Sequence, residues 1–201
     1  MEGYEYYAFR FLSQWYEDEL QLHSAISTKP EDAPVRKALA FFQVSRNFPG
    51  LGEPGKLAFV TQSLRRIRDS HPSPPTSPIE AVNKLAEMLK EKFDQFNVSA
   101  ASKLLWLSYR RPFIISDSRA TKALKREFHY KRADASYEEY VNAWRNEFAK
   151  HEGQIRKAVD ALPAARPFVR NCSTWDADLP EMVHEPWFVE RVFDVLLWDI
   201  G

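Results

Sequence analysis

Apolar residues recur at steps of three and four along most of this chain, and nowhere alternate in twos for long enough to make a strand. In residues 5–25, Phe9, Leu12, Trp15, Tyr16 and Leu20 fall on one helical face. In residues 78–96, Leu85, Met88, Leu89 and Phe93 do the same. Phe113-Ile114-Ile115 is too short and isolated to define a sheet. The pattern therefore predicts an all-α fold. A length of 201 residues suits one compact domain, or two small helical lobes around a cleft.

Prolines and glycines divide the pattern. Pro30 and Pro34 open a second helix over 33–46, and Phe48-Pro49-Gly50-Leu51-Gly52 ends it before a third over 54–68. Four prolines between His71 and Pro78 remove backbone donors and fix φ, so this stretch is an extended loop. It is read as separating one lobe, residues 1–70 with the C-terminal helices, from another, residues 78–162. Ser77 caps the helix that Pro78 opens. After a break at Asn97-Val98 comes a helix over 99–109, then a loop ending in Asp117. Ser118 opens a helix that stops before His129. Ser136 and Glu139 form a capping box for a helix reaching 162, where Pro163 and Pro167 interrupt. A last helix covers 186–199.

Composition excludes several classes. A single cysteine, Cys172, leaves no disulfide framework and no multi-cysteine metal site, and is read as inert in a reducing compartment. His23, His71, His129, His151 and His184 lack metal-ligand spacing, so they are read as surface or packing residues and no metal is expected. The glycines between Gly50 and Gly55 lack the Lys-Ser/Thr of a phosphate loop, and no cofactor is called for. No apolar run reaches the roughly 18–20 residues that span a bilayer. Residues 1–10 carry acids and tyrosines in place of a secretory leader, so a cytoplasmic protein without a membrane partner is expected.

Formal charge is balanced at 28 basic and 28 acidic residues, but the two signs are segregated. From Lys103 to Arg132, nine basic residues face only Asp117 and Glu127. From Cys172 to Gly201, seven acids face only Arg191. One reading is a polyanion-binding face and a separate acidic end; the other is two solvated faces that neutralise each other.

Two helices joined by a short turn can aim backbone N–H groups at a phosphate, because the first N–H groups of a helix have no intrahelical partner. Asn97 and Ser99 stand at that position here. The hairpin has no glycine, and Asn97 is the residue suited to a left-handed conformation in its place.

Ser99-Ala100-Ala101-Ser102-Lys103-Leu104-Leu105-Trp106-Leu107, followed by Pro112-Phe113-Ile114-Ile115-Ser116-Asp117-Ser118-Arg119, resembles the central segment of the helix-hairpin-helix DNA glycosylases. The nearest branch is the small bacterial proteins described as 8-oxoguanine-glycosylase-like. The match covers residues 99–119. It implies a helix-hairpin-helix glycosylase fold and a DNA N-glycosylase acting on duplex DNA that carries a modified or damaged base. Because small members occur among anti-phage genes, it also implies a phage-defence setting. It assigns glycosidic bond cleavage to Asp117: base departure leaves positive charge on the deoxyribose, which a fixed carboxylate stabilises, or the carboxylate activates water. The other reading of Asp117 is a helix cap alone, and the two roles are compatible.

Bifunctional members use a lysine of the second hairpin helix as a Schiff-base nucleophile. Lys103 lies 14 residues before Asp117, about one helical turn closer than in better-known members, where the count reaches Ser99. Helical repeat puts Ser99 and Lys103 on one face. Lys103 is thus read as a nucleophile, a DNA-facing cation or a solvated lysine, and water-driven base removal stands beside lyase chemistry. Arg110, Arg111, Ser118, Arg119 and Lys122 are candidate DNA contacts. Trp106, Tyr109 and Phe113 are candidate wedge or stacking residues, or core. The competing functions are a non-catalytic helix-hairpin-helix DNA-binding module and a helical protein-interaction scaffold.

Overall fold

The structure, a computed structural model, describes residues 3–71, 73–165 and 179–201. Among the described residues there are eleven α-helices, one short 3-10 turn and no strand, so the fold is all-α. Cys172, Pro167 and two of the seven acids counted from Cys172 to Gly201, Asp176 and Asp178, lie outside the described residues. The chain packs as two units, Met1–Asp18 with Asp117–Gly201, and Glu19–Ser116. The proline-rich loop lies inside the second unit.

That second unit holds most of α2 (Tyr16–Thr28), then α3 (Asp32–Phe41), a 3-10 turn (Ser45–Asn47), α4 (Lys56–Ser70), α5 (Pro78–Phe93) and α6 (Val98–Tyr109). The expected helix over 33–46 is shorter: it ends at Phe41, and Gln43 turns to a positive φ of 55° ahead of the 3-10 turn. Helix α6 is buried on every side from Ala100 to Ser108, as expected of a helix with few polar positions. It packs against α3, α4 and α5. Leu85 and Leu89 of α5, Leu64 of α4 and Leu104 of α6 are among its closed core residues. Ser77 accepts from Glu80 N–H to start α5, as its sequence predicts. Helix α5 ends at Phe93, three residues early, because Asp94 takes the left-handed conformation (φ 54°) and closes the helix to Lys90. The left-handed position expected at Asn97 is therefore filled by Asp94. Asn97, at φ −100°, is the N-cap of α6.

The first unit contains α1 (Tyr4–Gln14), α7 (Ser118–Arg126), α8 (Tyr137–Val159), α9 (Leu162–Ala165), α10 (Leu179–Met182) and α11 (Pro186–Ile200). The single helix expected over 5–25 is broken at Trp15, whose non-helical backbone ends α1. Helix α11 packs against α1, α7 and α8. Phe188, Val192, Phe193, Leu196 and Leu197 of α11 are fully closed, with Phe11 of α1 against Phe188 at 5.0 Å. Ser136 caps α8 through Glu139 N–H. The helix stops at Val159 instead of 162. No described helix is long and apolar enough to cross a membrane.

Candidate functional site

Helix α6 is apolar enough to be buried, so each polar residue on it requires a partner. Two of them hold one backbone residue, and a third bonds to the first of the pair. Ser99 Oγ donates to the carbonyl of Ser116 at 2.9 Å, and the N–H of Ser116 donates to Ser102 Oγ at 2.9 Å. Lys103 Nζ donates to Ser99 Oγ at 3.0 Å. Ser99 and Lys103 thus share one face, as the four-residue spacing predicts. Lys103 is only 3% exposed, with its amine 5.8 Å from the Phe42 ring centroid. The solvated reading of Lys103 is overturned: the helix that carries it is enclosed by α3, α4 and α5.

At the start of the same helix, Asn97 Oδ1 accepts from Ala100 N–H at 3.0 Å and from Asn47 Nδ2 at 3.5 Å. Its own Nδ2 is buried and has no hydrogen-bond partner. Asn47 is brought to this helix start by the 3-10 turn, a relationship that fifty residues of sequence separation concealed.

The chain leaves α6 through Arg110, at a positive φ of 57° that non-glycine residues seldom adopt. The Arg111–Pro112 peptide is cis. Phe113, Ile114 and Ile115 are buried, and Phe113 stacks on Tyr109 at 5.6 Å. Trp106 and Phe113, at 2% and 1% exposure, are core residues of this unit. Tyr109 is half-buried and donates to the His71 carbonyl at 2.6 Å.

In the other unit, Asp117 opens α7. Its Oδ1 accepts from Arg119 N–H at 2.9 Å. Its carbonyl accepts from Thr121 N–H at 2.9 Å and from Thr121 Oγ1 at 2.8 Å. The cap is real, and it fixes one carboxylate oxygen. The backbone N–H of Asp117 faces the hydroxyl of Tyr140, a buried phenol of α8. Burial pushes that phenol well above its usual range, and the carboxylates of Asp194 and Asp117 push it further. Asp194, 7% exposed, accepts from Trp144 Nε1 at 2.7 Å and lies 3.7 Å from Arg191 Nη1. Tyr140, Trp144 and Asp194 were missed by sequence reasoning. The available signal was Asp194 itself, an acid inside the apolar run from Val192 to Leu197.

The chain matches no family model, no curated protein and no solved structure.

Part of the charge segregation read from sequence is consumed inside the first unit. Arg119 lies over the Trp198 ring at 4.0 Å and donates to the Asp199 carbonyl at 3.3 Å. Lys125 pairs with Asp134, and Arg132 with Glu139 at 2.9 Å. Asp199 is paired with Arg10. Asp194 and Asp199, two acids of the expected acidic end, therefore hold the unit together instead of facing outward. Arg111, Ser118 and Lys122 are exposed, and Arg110 is half-buried. Among the described residues, no group of three or more His, Cys, Asp or Glu is placed to hold a metal ion.

Proposed function

We propose that this chain is a DNA N-glycosylase that takes a modified or damaged base out of the duplex and cleaves its glycosidic bond, leaving an abasic site. The observation that supports it best is the clamp on the approach to Asp117. Ser99 and Ser102 hold both backbone groups of Ser116, and the Arg119 N–H holds one oxygen of the next residue's carboxylate. A carboxylate fixed before the reaction stabilises developing positive charge without reorganising, which is where electrostatic catalysis is strongest. In this reading Asp117 stabilises the sugar cation or activates water. Exposed Lys122 and Arg111 hold phosphates without reading sequence. The N-terminus of α6, capped by Asn97, is the candidate backbone-binding element of the hairpin.

Lys103 is the candidate amine for a lyase step. A lysine held out of bulk water is the type that serves as a Schiff-base nucleophile. Here its partner Ser99 keeps the amine fixed.

The test is abasic-site formation on duplexes carrying a panel of modified bases, together with mass analysis of bases released from genomic and phage DNA. Wild type is expected to release a base and Asp117→Asn to lose that activity. Borohydride trapping of a protein–DNA adduct that disappears in Lys103→Gln assigns the lyase step. DNA binding without base release, unchanged by Asp117→Asn, assigns the binding-module reading instead.

A further inference from the structure

Away from Asp117, three residues of the first unit form a hydrogen-bonded line. Tyr4 of α1 meets His151 Nδ1 at 2.5 Å, and His151 Nε2 meets Glu147 Oε1 at 2.8 Å, both on α8. Glu147 is 4% exposed, yet its other oxygen accepts from Lys150 Nζ at 2.6 Å and Tyr130 Oη at 3.1 Å. Burial alone would raise its carboxyl. The donors Lys150, His151 and Tyr130 outweigh that and hold it below the usual carboxylate range.

An ionised Glu147 decides the tautomer of His151. The imidazole places its N–H on Nε2 toward the carboxylate, which leaves Nδ1 as an acceptor. Tyr4 then donates its phenolic proton to Nδ1. The ring cannot easily turn, because it stacks on Phe193 at 5.7 Å and meets Phe128 edge-on at 5.7 Å. The order is nucleophile, base and orienting carboxylate, the arrangement by which a weak hydroxyl nucleophile is activated. Tyr4 is half-buried, and burial followed by the Glu147 charge raises its phenol. It is therefore a neutral phenol at rest, and its reactivity depends on the base beside it.

We propose that Tyr4 is a histidine-activated nucleophile, a covalent modification site for uncharged acyl or sulfonyl electrophiles. The cation of this cluster bears on the choice of an uncharged group: Lys150 is already engaged by Glu147, which disfavours a phosphoryl dianion. In the step, Tyr4 Oη attacks the carbonyl carbon or the sulfur. The phenolic proton passes to His151 Nδ1, and Glu147 stabilises the imidazolium. The leaving group departs with the bonding electron pair and takes that proton, leaving an aryl ester on Tyr4. This site is independent of the base-excision reading.

The probe is an arylsulfonyl fluoride, with fluoride as the leaving group, applied to the full chain and read by peptide mass spectrometry. Tyr6, 43% exposed on the same helix, is the internal control for simple accessibility. Tyr4 is expected to label at least tenfold faster than Tyr6. His151→Gln and Glu147→Gln are each expected to lower the Tyr4 rate about tenfold or more and leave the Tyr6 rate unchanged. An unchanged Tyr4 rate in folded His151→Gln overturns the proposal, since a purely structural bond between α1 and α8 would not set reactivity. If either variant fails to fold, the wild-type comparison stands alone: Tyr4 labelling no faster than Tyr6 overturns it.

Discussion

Ser99 donates its hydroxyl proton to the carbonyl of Ser116, the residue that immediately precedes Asp117, while its lone pair accepts from Lys103. Ser102 completes the hold from the other side by accepting the Ser116 N–H. Ser102 is fully buried. Ser102→Ala leaves that N–H without its partner, so it is expected to cost about 1–3 kcal/mol. Ser99→Ala is expected to cost nearer 1 kcal/mol, because Ser99 is only half-buried and water can reach its place. Urea unfolding measures both. If Asp117 acts in base excision, both also lower the single-turnover rate beyond what lost stability explains.

Cap and charge at Asp117 separate by substitution. Asparagine caps a helix about as well as aspartate, whereas alanine loses roughly 1 kcal/mol. Asp117→Asn is therefore expected to keep wild-type stability and lose base release by about 100-fold or more, the scale of a lost electrostatic group. Asp117→Ala is expected to lose both. Thermal melts beside abasic-site assays check this, and full activity in Asp117→Asn would leave the residue as a cap alone.

Asp194 is a buried carboxylate held by Trp144 and Arg191, and Tyr140 senses its charge. Asp194→Ala is expected to destabilise the protein by about 1–3 kcal/mol, because it leaves the buried Trp144 N–H without its acceptor and removes the carboxylate beside Arg191. Trp144→Phe removes one donor and is expected to cost less than Asp194→Ala. Denaturant midpoints rank the two.

His23 of α2 donates from Nδ1 to the Leu107 carbonyl at 2.8 Å. Burial, then the Arg110 cation, hold its imidazole below the usual range, against the opposing pull of that carbonyl. The native state therefore binds fewer protons than the unfolded chain near pH 6. Stability from this group is complete above the unfolded value of about 6.5 and falls as pH drops through the depressed native value. Chemical unfolding between pH 7.5 and 5 is expected to show that slope. His23→Asn is expected to flatten it.

Lys122 is exposed on α7, whereas Arg119 is spent on Trp198 and the Asp199 carbonyl. In DNA binding, Lys122→Ala is expected to weaken affinity equally across sequences and to reduce the log–log salt slope by about 1. Arg119→Ala is expected to lower thermal stability first. A salt titration beside melting curves distinguishes these roles.

The sequence by itself determined the helical class, because three- and four-residue apolar spacing buries a face only in a helix. It also determined the helix starts at Ser77, Asp117 and Ser136, where the capping side chain acts on a backbone group two or three residues away. These are local interactions, written in adjacent residues. Helix ends were less legible: α5 stopped at Asp94, whose left-handed turn overrode the apolar Phe96 beyond it. Whether Lys103 met solvent was decided only when α3, α4 and α5 closed around α6. Glu147, Tyr4 and His151 became a line only when α1 was laid against α8, with Tyr4 and its partner 147 positions apart. Spacing within one helix cannot reveal such partners. Only tertiary packing decides which polar groups are withdrawn from water, and a withdrawn group must then find its hydrogen bonds wherever the fold supplies them.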